Sequence, residues 1–194
     1  GGLRWEDYSD DDSNGFNDGV FTWRLASAYS LDKTDTTFRG SLGHGFRIPN
    51  SSELNGNPTF GIAANSDLDP VESLGWDLGI EQAFCDGQYT LAVTYFGNRL
   101  ENAIISTGSQ YTNTPGTSET SGIEASAEAN FLNDRLDIAL TYTWLDRSLV
   151  DIPENTAGLR IYGKISERLQ AGLTVSYLDQ RSYGGNSLPS YYIV

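Results

Sequence analysis

Apolar and polar residues alternate with a period of two along most of the chain. One stretch shows the pattern clearly: Phe38, Gly40, Leu42, His44 and Phe46 have one parity, and Thr37, Arg39, Ser41, Gly43, Gly45 and Arg47 have the other. Such a period places the two sets on opposite faces of a β-strand. The strand is predicted to end at Pro49, because proline has no backbone N–H to donate to a neighbouring strand.

The same alternation recurs in both directions from this stretch and predicts an all-β protein. Besides the strand that starts at residue 37, strands are predicted at residues 2–8, 20–31, 71–84, 89–105, 119–131, 136–147, 158–166 and 169–183, with the beginning of a tenth at 190–194. Gly, Asn, Asp, Ser and Thr fill the segments between them, as turns require. Tight turns are predicted at 32–35, 85–88, 133–134 and 167–168, and the loops between these turns are long. Alternating short and long loops are typical of an up-and-down membrane barrel.

Aromatic residues on the apolar face lie near the two ends of the predicted strands. Near the long-loop ends are Phe21, Trp23, Phe46, Trp76, Tyr95, Tyr142, Trp144 and Tyr177, and near the tight turns are Tyr29, Phe38, Phe84, Tyr89 and Phe131. Aliphatic residues and glycine lie between. Two aromatic girdles around an aliphatic band favour a transmembrane antiparallel up-and-down β-barrel. Alternation alone also fits a soluble all-β binding module, which stays as an alternative.

Charge and composition narrow the function classes further. The formal net charge is −14, whereas nucleic-acid binding needs a basic face, so no nucleic-acid partner is expected. The single cysteine, Cys85, has no partner for an internal disulfide and fits no metal-binding spacing. No apolar run is long enough for a transmembrane helix.

The sequence argues against an enzyme, and no catalytic residue is predicted. His44 is the only histidine, so a Ser-His-Asp triad would have to include it. Its parity places it beside Leu42 and Phe46 on the apolar face, where an interfacial, non-catalytic histidine is expected. No Gly-x-Ser-x-Gly segment, phosphate-binding loop or zinc spacing is present.

An acidic loop near the start of the chain is a candidate calcium site. Its oxygen-bearing residues are Asp10, Asp12, Asn14 and Asp18, spaced like the beginning of a calcium-binding loop. An EF-hand needs Glu at its twelfth position, where this chain has Phe21. Calcium is therefore the one cofactor to consider, and a solvated acidic loop is the alternative.

Four short segments occur in a characteristic order along the chain. They are Phe46-Arg47-Ile48-Pro49 with Glu53-Leu54; Asp67-Leu68-Asp69-Pro70 with Ser73, Asp77 and Gly79; Asn113 followed by Gly122-Ile123-Glu124; and Tyr142-Thr143-Trp144-Leu145-Asp146. The ordered set resembles segments of the TonB-dependent outer-membrane receptors. The resemblance covers most of the chain and does not specify a ligand.

This resemblance implies a barrel of about 22 strands with a plugged lumen, of which residues 1–194 would form one part. The chain begins at Gly1, lacks methionine and shows no signal peptide, so a processed or partial chain is expected, with the plug domain and flanking strands elsewhere. The family's activity is uptake across the bacterial outer membrane, energised by the inner-membrane TonB complex. A ferric siderophore is the expected ligand, with cobalamin or another TonB-dependent substrate as an alternative. A passive porin is a further alternative.

Two sets of residues are predicted to carry this function. Charged residues with lumen parity are expected to contact the plug: Arg24, Arg39, Asp77, Glu81, Glu124, Glu128, Asp137, Arg160 and Lys164. Cationic and aromatic residues near the long-loop ends are expected to bind an anionic iron chelate: Arg47, Arg99, Tyr111, Arg147, Arg181 and Tyr183. Any polar barrel lumen carries charges like the first set. For the second set, attraction to lipopolysaccharide phosphates or simple loop solvation is the alternative.

Overall fold

A computed structural model describes residues 1–9, 17–133, 135–146, 152–183 and 186–194. Side chains are described for all of these except residues 6–9, 17–19 and 183. None of the helices in these ranges is both long and apolar enough to cross a membrane.

Antiparallel strands make up most of the described chain. They are β1 (Gly2–Ser9), β2 (Asn17–Leu31), β3 (Thr36–Arg47), β4 (Val71–Phe84), β5 (Tyr89–Glu101), β6 (Ile104–Ser106), β7 (Tyr111–Asn113), β8 (Thr117–Phe131), β9 (Leu136–Asp146), β10 (Asn155–Ser166), β11 (Leu169–Leu178), β12 (Arg181–Tyr183), β13 (Asn186–Leu188) and β14 (Tyr191–Ile193). Ten of them form one sheet in the order β1-β2-β3-β4-β5-β8-β9-β10-β11-β14. The predicted nine strands and the beginning of a tenth correspond to this sheet.

The chain forms two compact units. The first comprises Gly1–Ala26, Ser41–Trp76 and Asn98–Glu119, and the second comprises Ser27–Gly40, Asp77–Gly97 and Thr120–Val194. In the first unit the long connecting segments cover Leu68, which is 1% exposed, and Val71. In the second unit Ala139 and Thr36 are buried, and the Thr36 hydroxyl donates to Gln82 Oε1 at 2.6 Å.

Two predicted strands are too long, and the structure corrects both. The predicted strand 89–105 ends at Glu101, because Asn102 takes a left-handed conformation with φ +54° and turns the chain. Its last residues form β6, which pairs with β7 in a separate hairpin. The predicted strand 169–183 ends at Leu178, and Arg181–Tyr183 pairs with β13 instead. Consecutive polar residues interrupt the alternation at both breaks, Glu101-Asn102 at the first and Asp179-Gln180-Arg181 at the second.

The tight turns lie at or close to their predicted positions. In the turn after β4, Asp86 and Gly87 both have positive φ, and Gln88 N donates to Cys85 O at 3.2 Å. Asp-Gly is a favoured pair for such a hairpin turn. In the turn after β8, Leu132 and Asn133 have positive φ, and Arg135 N donates to Phe131 O at 3.1 Å, so the turn includes the predicted Asn133. Asp134 lies outside the described residues.

Cross-strand register in the second unit places residues of one parity in continuous rows. One such row runs Ala125, Tyr142, Ala157, Tyr177 and Tyr192 across five neighbouring strands. The rings of Tyr177 and Tyr192 lie 5.1 Å apart between centroids. Alanine beside tyrosine leaves space between the rings, and the row borders an apolar depression of about 560 Å³. This is the face predicted to meet lipid.

A steric constraint explains why glycine stands first in the Gly122-Ile123-Glu124 segment. Gly122 is buried in β8, and a Cβ atom there would lie 2.7 Å from Phe96 Cζ and clash with the carbonyl oxygen of Trp144. Contacts this short force either the aromatic ring or the backbone to move. Glycine therefore allows β8 to keep its pairing with β9 next to a large aromatic side chain.

The segment after β3 contains helices where only a polar loop was predicted. A short helix, α1 (Ser51–Asn55), is followed by a 3₁₀ turn, Pro58–Phe60. Asn50 begins α1 with a capping box: its side chain accepts from Glu53 N at 2.9 Å, and Asn50 N donates to Glu53 Oε2 at 2.7 Å. The spacing Asn-x-x-Glu is the sequence signal for this start, and the polarity of the segment alone does not reveal it.

Arg47, the last residue of β3, fastens α1 to the end of the strand. Its two terminal nitrogens donate to the two carboxylate oxygens of Glu53, at 2.8 and 3.1 Å. Glu53 is 8% exposed, so this two-point contact satisfies a nearly buried carboxylate. The Phe-Arg-x-Pro and Glu-Leu parts of the segment are thus joined by a single ion pair.

The Arg47–Glu53 pair predicts that the stability of the loop containing α1 depends on pH. Hydrogen bonding from Arg47 outweighs the opposing effect of burial and holds the pKa of Glu53 below its ordinary value of 4.5. Since the folded-state pKa is the lower one, the carboxylate stabilises the loop above a pH of about 4.5. That stabilisation is lost as the pH falls through the lowered pKa.

Hydrogen exchange at the Glu53 and Leu54 amides of the full-length protein, corrected for intrinsic rates, is expected to show opening below that pH. In the Glu53→Gln variant, opening is expected to be faster by about tenfold and independent of pH in this range. Exchange in the wild type that does not change between about pH 6 and pH 3 would contradict the assignment of this pair as the loop's fastening.

Candidate functional site

In the first unit two long connections are hydrogen-bonded to each other. One is the segment between β3 and β4, and the other includes the β6–β7 hairpin. Ala63 N donates to Ser109 O at 2.7 Å, and Gln110 Nε2 donates to Ala64 O at 3.1 Å. Asn65 joins the same connections, since its side-chain amide donates to Tyr111 O at 2.8 Å. The two loops therefore present one continuous surface.

Asn113 joins the two connections through both the oxygen and the nitrogen of its side-chain amide. Its oxygen accepts from Asp69 N at 2.8 Å, while its nitrogen donates to Asp69 O at 2.9 Å and to Asn102 O at 2.7 Å. We call Asn65 and Asn113, with these backbone partners, the loop clasp. An aspartate at 113 would set a carboxylate against two carbonyl oxygens, so the amide is chemically required.

The predicted ligand-binding residues belong partly to the first unit and partly to the second. In the first unit, the guanidinium of Arg47 is held by Glu53, and Tyr111 belongs to β7 beside the loop clasp. In the second unit, Arg181 lies in β12 opposite Leu188. The backbone of Tyr183 pairs with Asn186, and its side chain lies outside the described residues. Arg147 also lies outside them. Ligand contact by this set stays a prediction.

Arg99 lies on the face predicted to meet lipid. It shares the parity of Tyr95 in β5, and it borders a cavity together with His44, Glu72 and Leu74. His44 was predicted to be an interfacial, non-catalytic residue on the same face. Glu72 and Glu101, the acidic residues of this group, were not predicted as site residues, although both have the parity of apolar neighbours.

Two ion pairs in the second unit involve residues predicted to face the lumen. Arg39 Nη1 lies 2.9 Å from Glu81 Oε2, and Arg160 Nη2 lies 3.2 Å from Asp137 Oδ1. All four side chains are partly exposed, so each pair is hydrated and contributes little stability on its own. Arg24, Asp77, Glu124, Glu128 and Lys164 also lie in strands with this parity. Contact with a plug stays a prediction for the whole set.

The candidate calcium site falls almost entirely outside the described residues. Asp10, Asp12 and Asn14 lie in the segment 10–16, and Asp18 is described only by its backbone in β2. Within the described ranges, no group of three His, Cys, Asp or Glu side chains is placed to hold a metal ion. Calcium binding stays a prediction.

The loop clasp predicts that Asn113→Asp separates the two loops. The variant keeps one acceptor but places negative charge against the carbonyl oxygens of Asp69 and Asn102, which costs about 1–3 kcal/mol. Exchange at the amides of Ala63, Asp69 and Thr114 is expected to accelerate by roughly ten- to a hundredfold in the full-length protein.

Asn98→Asp is the matched control, because it makes the same substitution at an exposed position of β5. Its exchange at the three amides is expected to stay at the wild-type rate. Equal acceleration in both variants would show that added negative charge, and not the lost clasp, loosens the loops.

Comparison with known proteins agrees with this architecture. A family model described as TonB dependent receptor-like, beta-barrel matches residues 1–194. Similar solved structures include the siderophore receptor PirA from Acinetobacter baumannii (TM-score 0.74, 16% identity, 90% of this chain and 34% of that one). The copper transporter OprC is also similar (TM-score 0.73, 16% identity, 92% of this chain and 30% of that one).

A variant of the ferric enterobactin receptor PfeA from Pseudomonas aeruginosa, solved in complex with enterobactin, is similar to the same degree (TM-score 0.73, 18% identity, 90% of this chain and 32% of that one). The chain thus spans about a third of the length of these proteins. At such identities the likeness concerns the fold, whereas the family model covers the whole chain. The chain belongs to the TonB-dependent receptor-like β-barrel family, as part of the barrel.

Proposed function

We propose that the receptor containing this barrel segment takes up a scarce ligand across the bacterial outer membrane, with energy from the inner-membrane TonB complex. The ligand that we propose is a ferric siderophore. Membership of the family supports the receptor assignment. Two of the similar structures are a siderophore receptor and a receptor in complex with enterobactin. The similar fold of a copper transporter means that the fold does not identify the cargo.

The observation that carries the proposal is the contrast between the two faces of the second unit. One face bears rows of Ala, Leu, Val and Tyr and an apolar depression. The other bears the Arg39–Glu81 and Arg160–Asp137 pairs. An apolar outer face and a charged inner face are what a membrane barrel with a polar interior requires.

The joined loops of the first unit supply a surface for capture. A ligand that binds a preformed surface does not have to order the loops, and so less of the binding free energy is lost. Arg47 is the last residue of β3, where one of these loops begins, and Tyr111 is the first residue of β7 in the other. The 3₁₀ turn adds Phe60, whose side chain is 76% exposed and available for stacking on an aromatic chelator.

Uptake predicts a growth phenotype that depends on one ligand. Deletion of the complete gene is expected to abolish growth on one ferric siderophore as the only iron source, and the gene on a plasmid is expected to restore it. Growth of a cobalamin auxotroph on limiting cobalamin is expected to be unaffected. The reverse result would assign cobalamin, and normal growth in both assays would reject the proposal.

A TonB deletion strain separates active uptake from a passive porin. Growth on the identified ligand is expected to be lost when TonB is absent, because the plug then stays in place. Growth that continues without TonB would support the porin alternative.

The Arg39–Glu81 and Arg160–Asp137 pairs predict a second phenotype, a change in antibiotic sensitivity, that is independent of ligand uptake. We propose that Arg39 and Arg160 contribute to docking of the plug, which is expected in the rest of the receptor. Because exposed ion pairs contribute at most about 1 kcal/mol each, the double variant Arg39→Gln/Arg160→Gln is expected to shift plug docking by about tenfold. Entry of a large hydrophilic antibiotic, measured as growth inhibition, is expected to increase.

Lys33→Gln is the control, because it removes a charge from the exposed turn between β2 and β3. Its antibiotic sensitivity is expected to match the wild type. Equal sensitivity of the double variant and this control would show that the lumen charges only solvate the barrel interior.

A further inference from the structure

The joined loops of the first unit carry net negative charge. They comprise residues 48–70, between β3 and β4, and residues 102–116, between β5 and β8, and we call them the loop surface. Their charged residues are all acidic: Glu53, Asp67 and Asp69. Arg47, at the end of β3, forms an ion pair with Glu53. The negative charge of the loop surface therefore comes from Asp67 and Asp69.

The backbone of both aspartates is fixed by the loop clasp. Asp67 N donates to Asn65 Oδ1 at 3.1 Å, and Asp69 N donates to Asn113 Oδ1 at 2.8 Å. Both aspartates are exposed. Among the residues that the structure describes, neither carboxylate takes part in an ion pair. Their charge is thus held in place and faces solvent.

Phe60 is an independent feature of the loop surface that points to a ligand. Its side chain is 76% exposed, although the turn beneath it is well ordered by hydrogen bonds. Asn57 N donates to Ile62 O at 2.9 Å, and Ile62 N donates to Asn57 O at 3.0 Å. Phe60 N also donates to Asn57 O at 3.0 Å. An aromatic ring presented in this way can cover an apolar part of a ligand or contact a cation through its face.

These features favour a cationic or uncharged ligand over an anionic one. Opposite charges across an interface attract and speed association, whereas like charges that face each other lower affinity. The expectation of an anionic chelate relied on cationic residues near the loops, and the guanidinium of Arg47 is engaged by Glu53. Charge complementarity at the loop surface therefore runs in the opposite direction.

Ferric chelates fall into classes that differ in charge. Three catecholates bring more negative charge than ferric iron neutralises, so their complex is an anion. Three hydroxamates bring one negative charge each, so their complex with ferric iron is uncharged. A free amine elsewhere on a hydroxamate chelator then makes the whole complex a cation.

We propose that the loop surface selects a ferric hydroxamate chelate without net negative charge and prefers one that carries an ammonium group. Asp67 and Asp69 attract the ammonium group, and Phe60 covers the apolar chain of the chelator. The same two carboxylates repel an anionic catecholate complex, which gives selectivity between the classes. This inference rests on the proposed uptake of a ferric siderophore and names the class of chelate.

The test measures binding of three ferric chelates to the purified full-length receptor in detergent, by quenching of tryptophan fluorescence. The probes are ferrioxamine B, a hydroxamate complex with a free ammonium group; its N-acetylated derivative, which is uncharged; and ferric enterobactin, which is anionic. The test variant is Asp67→Asn/Asp69→Asn. The matched control is Asp32→Asn/Asp35→Asn, which removes the same charge from exposed aspartates in the turn between β2 and β3.

In the wild type, ferrioxamine B is expected to bind about tenfold more tightly than its acetylated form, as two exposed charge interactions allow. Ferric enterobactin is expected to bind most weakly. In the test variant the first two probes are expected to bind equally, while the control keeps the wild-type difference. Phe60→Ala is expected to weaken both hydroxamate complexes by about tenfold, through loss of apolar contact.

Equal binding of ferrioxamine B and its acetylated form to the wild type would overturn the proposal, as would tighter binding of ferric enterobactin or failure to bind either hydroxamate. An identical change in the test variant and its control would also reject it, by assigning the preference to the overall charge of the protein. Heat-dependent mobility on a denaturing gel checks that each variant is folded. A receptor that supports TonB-dependent growth on a ferric catecholate but binds no hydroxamate would leave the uptake proposal standing and reject only this one.

Discussion

Hydrogen bonding between neighbouring strands is the constraint on which the rest of the structure depends. A backbone that crosses hydrocarbon has no water to bond with, so its N–H and C=O groups must bond to adjacent strands. The ten-strand antiparallel order meets this requirement through consecutive hairpins. Once the pairing is set, the period of two decides which residues meet lipid and which meet the polar interior. The contrast between the apolar row through Tyr142 and the Arg160–Asp137 pair follows directly from it.

This constraint explains why much of the fold was predictable from sequence. Parity is local information, and so the two faces of β3 were visible from Phe38 and Arg39 alone. Strand ends were less well predicted, although two consecutive polar residues, Glu101 and Asn102, stand where β5 ends. Breaks of this kind depend on the partner of each segment: Ile104–Ser106 pairs with its own hairpin and not with the main sheet. Sequence distance gives no signal for that choice.

The functional surface was less predictable for a related reason. Asn113 was recognised as part of a family segment, but its role depends on Asp69, which is 44 positions away in sequence. Arg47 was expected to be a cation for a ligand, and the structure shows it bound to Glu53. In both cases a polar residue of the segment serves the architecture of the loops. Residues that shape a binding surface and residues that touch a ligand are of the same types. Only the contacts seen in a structure distinguish the two roles.

The distinction between faces also limits what a charged residue near a long loop can do. Arg47 and Arg99 are both arginines close to strand ends, and composition alone gives them one role. Both residues have odd numbers, but the two strands differ in which parity is apolar. In β3 the apolar residues are even-numbered, as Phe46 is, so Arg47 lies on the polar face. In β5 the apolar residues are odd-numbered, as Tyr95 is, so Arg99 lies on the apolar face. Arg99 borders a cavity together with His44 and Leu74, which have the apolar parity of their own strands. The pleat of each strand therefore decides whether a residue faces the apolar or the polar side of the sheet.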